Sequence, residues 1–235
     1  MTTSEMYNLL EKRRAVRRYK TSDIPPRSLV EHLLWLAWKT TPSKNQMMPY
    51  AVKVLGPEKS EEKFKIWTKM TQQADNVEST YMKMKQIETR KDHPNYEYSP
   101  EYKHVRDNPY LLVFTQRVCE LNEFYKEEVK YGHYAEQTIR SELHTIIDQS
   151  SVEIGYYAAN LAMYCMEHDV DVSYGFCFPR DIEAWSDCKN YIEHTPLLLM
   201  TLGYGEIYRW QEMKADRKLH LDIKPEIDKV VEWID

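Results

Sequence analysis

A fold that mixes helices and strands is predicted by three features of this sequence. Leu29, Val30, Leu33, Leu34, Leu36 and Ala37 recur at helical spacing and mark an amphipathic helix. Three short apolar runs bounded by turn residues, Tyr50–Leu55, residues 110–114 and Pro196–Gly203, read as strands. Residues 136–168 carry the longest helical pattern in the chain.

In chain order, Met6, Leu9, Leu10 and Arg13 fall at helical spacing behind Ser4, which suits an N-cap, so a short first helix is predicted. Asp23, Ile24, Pro25 and Pro26 form a turn, and Pro26 suits the first turn of the amphipathic helix, which ends before Pro42. The strand Tyr50–Leu55 is stopped by Gly56 and Pro57. Residues 58–90 are helical and polar, with Phe64, Ile66, Trp67 and Met70 as anchors. Residues 93–108, rich in Pro, Asn, Tyr and charge, read as a long loop or lid. The continuous apolar run at 110–114 predicts a buried strand. In the long helix, Gly155, Ala158, Ala159 and Ala162 give a small-residue spacing that lets another helix approach closely. Residues 172–175 read as a short edge strand, and Pro179 opens a short helix. The tail is polar from Ile207 to Pro225, which begins a last amphipathic turn with Ile227, Val230 and Val231. No repeat or linker divides the chain, so residues 1–235 read as one domain, with 59–108 as a helical or lid insertion and 207–235 as a C-terminal arm.

Composition narrows the function classes. A formal charge of -5 argues against a dedicated nucleic-acid binder, which carries a broad basic excess. No apolar run is long enough to cross a bilayer, and the N-terminus lacks the charged-then-apolar pattern of a signal peptide, so neither membrane nor export is expected. Cys119, Cys165, Cys177 and Cys188 are widely spaced, which suggests neither a zinc site nor a disulfide framework and fits a reducing cytoplasm. The eight histidines form no metal-binding spacing, and no metal is expected. With only six glycines, a Gly-rich dinucleotide loop is hard to place: Gly203-Tyr204-Gly205 follows a strand, but Tyr208 stands at the third glycine position.

Two stretches carry candidate chemistry. Lys12-Arg13-Arg14-Ala15-Val16-Arg17-Arg18-Tyr19-Lys20 puts six cationic side chains into nine residues, with apolar Ala15 and Val16 in the middle. Arginine offers planar, bidentate donors that suit phosphate, so the run fits an anionic cofactor, a nucleic-acid backbone or a solvated helix end. Pro42, Ser43, Lys44, Asn45 and Gln46 then open a polar, proline-restrained loop that runs through Met47, Met48 and Pro49 into a strand. An R-R-x-V-R-x-[FY] run, an amphipathic helix, and then P-S-x-N-x-x-x-P-[YW] before a strand resembles the flavin-dependent nitroreductase family. The resemblance continues through Ser151 to Leu161 (a long central helix), Val172 to Phe176, Pro196 to Tyr204, and Arg217-Lys218-Leu219.

That resemblance implies an α+β fold, with a central, mostly antiparallel sheet flanked by helices, and an intertwined homodimer with FMN at the subunit interface. It implies that Arg13, Arg14 and Arg17, with Arg217 or Lys218, hold the FMN phosphate and ribityl chain. It further implies that Ser43 and its neighbours line the other side of the flavin from the partner subunit, and that backbone N–H groups near Ser173, at Tyr174 and Gly175, face N5. The implied activity is ping-pong hydride transfer from NAD(P)H to a small-molecule acceptor such as a nitroaromatic or quinone, with no catalytic side chain demanded. The chain departs from the family pattern at Ala15, where serine is common, in the loop at Asn45, Gln46 and Met48, and at Tyr174, where many members have glutamate.

Other readings are a dehalogenating or flavin-fragmenting relative, with residues 78–85 near the lid of the dehalogenating branch, and a flavin-holding protein without turnover. Tyr96, Tyr98 and Tyr102 suit either packing or stacking over a substrate. Cys177 and Cys188 read as structural thiols, His133 and His144 as surface or core residues, and Glu127, Glu128 and Lys130 as a solvated face.

Overall fold

The computed structural model describes residues 16, 19–76, 108–117, 119–120, 122–133, 135, 149–176, 178–205 and 230–231, excluding the side chains of Asn45 and residues 71–76. The predicted first helix, residues 77–107 of the proposed insertion and almost all of the predicted C-terminal arm lie outside the described residues. Met1–Gly205 is one compact unit and Glu206–Asp235 a second, of which Val230 and Val231 are described.

Helix α1, Arg27–Thr40, forms where the apolar stripe predicts it. Pro26 is the extended residue before the helix rather than part of its first turn, and its carbonyl accepts from the Leu29 and Val30 amides. Val30, Leu33 and Ala37 are the buried positions. At the other end Thr41 Oγ1 donates to the Ala37 carbonyl at 2.6 Å, and Pro42 prevents another turn. Strand β1 is Tyr50–Leu55, and helix α2 is Ser60–Asn76. In α2, Ile66 and Met70 are buried and Trp67 is half-buried, but Phe64, expected as an anchor, stands outward at 48% exposure.

Strand β2, Tyr110–Gln116, is the predicted buried strand. Helix α3, Glu123–Lys130, has no counterpart among the predicted elements; its start is fixed by Asn122, whose Oδ1 accepts from the Tyr125 amide at 3.1 Å. Helix α4, Ser150–Glu167, has Gln149 as its N-cap and so starts within the predicted span 136–168, of which residues 136–148 lie outside the described residues. Strands β3, Asp171–Gly175, and β4, Pro196–Gly203, complete the sheet. Between them runs a 3₁₀ helix, Ile182–Cys188. It starts three residues later than Pro179 suggests because the Asp181 side chain caps it, accepting from the Glu183 amide at 3.0 Å.

The four strands are antiparallel throughout, in the order β1-β2-β4-β3. Alternation along a strand sends neighbouring side chains to opposite faces, so an apolar run needs cover on both. On one face Tyr110, Leu112, Phe114, Leu198, Met200 and Leu202 meet α1 and α4. On the other, Leu111, Val113 and Leu199 meet Ile66 and Met70 of α2, with Phe178, Trp185 and Cys188 from the β3–β4 connection. The small residues of α4 divide accordingly: Ala158 and Ala162 pack inward, while Gly155 and Ala159 are exposed. The buried Lys63 ammonium, 2.7 Å from the Asn108 carbonyl, ties α2 to the chain as it enters β2.

The segment around Tyr19 is drawn onto the β3–β4 side of this sheet. Val16 N–H donates to the Val172 carbonyl, Lys20 N–H donates to the Tyr204 carbonyl, and Tyr19 forms an antiparallel bridge with Gly205. The Tyr19 hydroxyl lies 2.8 Å from Thr201 Oγ1. A Cβ on Gly203 would stand 2.7 Å from Tyr19 Cδ1 and 2.8 Å from Pro109 Cδ, so the missing side chain is what lets the segment close. Neither ring can yield easily. Gly203→Ala is expected to lower stability by about 1–3 kcal/mol, read as a lower urea midpoint at unchanged slope.

Candidate functional site

The antiparallel registers bring four chain ends to one end of the sheet. Tyr50 opposes Gln116, Thr115 opposes Pro196, and Gly175 opposes Leu199. The 42–49 connection therefore sits at the β1 edge, and Ser173, Tyr174 and Gly175 at the β3 edge. Both are predicted site segments. They are separated by three interstrand spacings, roughly 14 Å.

At the β1 edge the loop is held from several sides. Lys44–Gln46 is one turn of 3₁₀ helix. Ser43 Oγ accepts from the Met48 amide at 2.8 Å, closing the loop on itself. The Lys44 amide donates to Glu153 Oε1 at 3.1 Å. Glu153 lies in the first turn of α4 and is buried, at 6% exposure. From beyond β2, Arg117 Nη2 donates to the Met47 carbonyl at 2.6 Å and to the Met48 carbonyl at 2.9 Å. Its Nε reaches the same Met48 carbonyl at 3.1 Å. Met47 is buried with Cys119 and Tyr125, against half-buried Val129. Pro42, Lys44 and Gln46 are exposed, and Ser43 is half-buried.

Gln46 and Met48 adopt φ values of 59° and 48°. Left-handed backbone is costly for a side-chain-bearing residue, so two such residues so close together require a surrounding structure that over-determines them. Glu153, Arg117 and Ser43 supply it.

The same charges act on nearby titratable groups. Burial pushes the Tyr50 hydroxyl well above its ordinary range; Glu153 acts in the same direction and Arg117 against it. Burial also raises the Cys119 thiol, with Arg117 opposing and Glu153 adding. Cys165 and Cys188 are likewise raised by burial. Each of these thiols is therefore kept protonated near neutral pH, which leaves it a poor nucleophile.

At the β3 edge, Ser173 and Gly175 are buried and Tyr174 is half-buried, its hydroxyl donating to the Ala158 carbonyl of α4 at 3.3 Å. Antiparallel residues turn both backbone groups alternately toward and away from their neighbour. Since the Val172 carbonyl faces Val16, the Tyr174 backbone faces that same outer side, whereas Gly175 is turned toward β4. A Cβ on Gly175 would meet Met70 Cε at 3.1 Å.

Arg13, Arg14, Ala15, Arg17, Arg217 and Lys218 lie outside the described residues, as do Tyr96, Tyr98, Tyr102, His144, Cys177 and residues 78–85. Of the basic run, Val16, Tyr19 and Lys20 are described: Val16 meets Val172 of β3, Tyr19 bridges Gly205, and Lys20 donates to the Tyr204 carbonyl. His133 is exposed and pairs with Glu128 at 3.3 Å. Arg117 and Glu153 are functional candidates that the sequence reading does not single out. Among the described residues no cluster of three or more His, Cys, Asp or Glu is placed to hold a metal, and no helix is long and apolar enough to cross a membrane.

The loop's strain gives a direct expectation. Gln46 is exposed, so Gln46→Gly loses no packing while relieving left-handed backbone. Stability is expected to rise by about 1 kcal/mol, seen as a higher denaturant midpoint.

Comparison with known proteins places this geometry. A search of curated proteins finds no match. Among solved structures, a Staphylococcus epidermidis protein assigned as an NAD(P)H:FMN oxidoreductase superposes with a TM-score of 0.62 at 14% identity, covering 100% of this chain and 98% of its own. An Exiguobacterium sibiricum protein assigned as a nitroreductase, solved in complex with FMN, gives a TM-score of 0.62 at 14% identity, covering 100% and 99%. A nitroreductase-like protein from Streptococcus mutans gives 0.58 at 15% identity, covering 100% of both chains. At such identities these structures establish the fold. The family model of the Nitroreductase family matches residues 10–204, which includes the basic run, the 42–49 loop and all four strands. This chain belongs to the nitroreductase family.

Proposed function

We propose that this protein is an FMN-dependent oxidoreductase that takes hydride from NADH or NADPH and delivers it to a small organic acceptor, a nitroaromatic or a quinone. The observation that carries the reading is that Val16, from the middle of the basic run, donates to Val172 at the outer edge of β3, while Tyr19 bridges Gly205. Arg14 and Arg17 neighbour Val16 in sequence and are candidate phosphate ligands by family resemblance, and the strand edge that Val16 meets is the one on which the Tyr174 backbone faces outward.

Bound flavin would supply the hydride chemistry at N5. The protein's own residues bind and orient. Arg13, Arg14 and Arg17, joined by Arg217 or Lys218, neutralise the phosphate through bidentate donors. Tyr174 offers its outward-facing backbone beside the ring, whereas Gly175, expected to do the same, has its backbone turned toward β4. No side-chain acid or base is required, which accords with thiols held protonated by burial.

The site is completed by a second copy of the chain. Ser43, Lys44, Asn45 and Gln46 lie at the opposite sheet edge from β3, too far for both segments of one protomer to flank one ring. The outer face of α4 supports this assembly: Val152 and Tyr156 are 59% and 53% exposed, beside exposed Gly155 and Ala159. On α1, Trp35 and Trp38 are exposed at 52% and 49%. Apolar faces of this kind mark association surfaces. The reading takes the chain as one working domain with residues 207–235 as an arm, acting in the cytoplasm.

The purified protein should show oxidised-flavin absorption that bleaches anaerobically with NADH or NADPH and returns on adding a nitroaromatic or quinone. A flavin spectrum unmoved by both nucleotides would leave a holding protein. A colourless protein that takes up no added FMN would end the flavin reading.

A further inference from the structure

We propose that Glu153 is a positioning residue, which with Arg117 holds the 43–48 loop in its left-handed shape for ligand binding. The inference deepens the proposed reading of that loop, but the clamp itself belongs to the unliganded chain.

Three observations carry it. The first is placement. Buried positions on α4 run Ser150, Glu153, Ile154, Tyr157, Ala158, Leu161, Ala162 and Cys165, so Glu153 occupies a slot where packing calls for an apolar side chain. The second is incomplete satisfaction. Oε1 accepts from the Lys44 amide at 3.1 Å, whereas Oε2 is buried without a hydrogen-bond partner. Ser150 Oγ, one turn earlier, is likewise buried without one. A buried carboxyl group with a single partner costs stability, and a well-packed apolar residue is the better choice for stability alone. What Glu153 does instead is reach out of the core to the loop.

The third is opposition. Arg117 grips the far end of the same loop through the Met47 and Met48 carbonyls, while Glu153 grips its beginning through the Lys44 amide. Acceptor at one end and forked donor at the other define both the position and the twist of the turn. Gln46 and Met48 sit at positive φ between and beside these contacts. Residues in such strained conformations persist only when neighbours over-determine them. Of the loop's side chains Met47 is buried, while Pro42, Lys44 and Gln46 are exposed. Its shape is set by Glu153 and Arg117 from outside the loop, together with the internal Ser43–Met48 hydrogen bond.

The test uses the full-length protein, with and without added FMN, and the variants Glu153→Leu and Glu153→Gln. Amide hydrogen exchange at Lys44 and Met48 reads the clamp without reference to flavin. Glu153→Leu should speed exchange at both amides by about tenfold or more, while the melting temperature holds or rises. Glu153→Gln keeps an acceptor and should restore part of the protection. FMN affinity, followed by quenching of flavin fluorescence, should fall about tenfold in Glu153→Leu and be partly recovered in Glu153→Gln, as expected when one hydrogen bond that orders the loop is lost. Unchanged exchange in Glu153→Leu would overturn the clamp. A lower melting temperature that tracks faster exchange across the whole chain would also overturn it, marking Glu153 as ordinary packing. Faster loop exchange with unchanged FMN affinity would overturn the positioning role. Failure of the wild type to bind FMN would count against the proposed function, while the exchange measurement still decides the clamp.

Discussion

Double-sided burial of strand β2 is the constraint on which the structure depends. Tyr110, Leu112 and Phe114 point into one core and Leu111 and Val113 into the other, each nearly inaccessible to solvent. An antiparallel strand with that pattern cannot leave a face wet, so helices must cover both sides. With β2 and β4 in the centre, β1 and β3 become the edges. Edges are where backbone groups remain to be engaged, and the N-terminal segment takes one of them. The location of the candidate site is thus a consequence of core packing several residues away.

The two edges are built differently. At β3 the chain relies on backbone approach, which explains the glycines: Gly203 leaves room for Tyr19 and Pro109, and a Cβ on Gly205 would meet Val16 Cγ1 at 2.9 Å. The Gly203-Tyr204-Gly205 sequence is therefore packing for the N-terminal segment. At β1 the chain relies on charge and side-chain hydrogen bonds to hold an irregular turn. One edge is made by what is missing from the side chains, the other by what they reach.

Much of this was legible in the residues, for physical reasons. The helix Arg27–Thr40 announces itself through a one-sided apolar stripe, and the strands through apolar runs stopped by Gly, Pro or polar turns. The family was legible because its motifs occur in order across most of the chain. Local pattern fails where a contact depends on register. Arg117 finds the Met47 and Met48 carbonyls only because β1 and β2 pair Tyr50 with Gln116. Glu153 was in principle readable, since it falls in phase with the apolar stripe of α4, but polarity alone classes it as a surface residue. Helix α3 is short and polar, and its signal is chiefly the Asn122 cap. Phe64 shows the converse, an aromatic in a helical pattern that faces outward.

The central claim is that one site draws on two protomers, with the basic run of one copy and the 43–48 loop of the other. Subunit mixing tests it most directly. One variant carries Arg13→Ala, Arg14→Ala and Arg17→Ala; the other carries a loop disrupted at Ser43 and Gln46. Each alone should fail to retain FMN. Co-refolded in equal amounts, they should recover flavin at about a quarter of all sites, because each mixed dimer rebuilds one intact site. Mixed dimers that form and still hold no flavin would place both segments in one protomer's site and contradict the account.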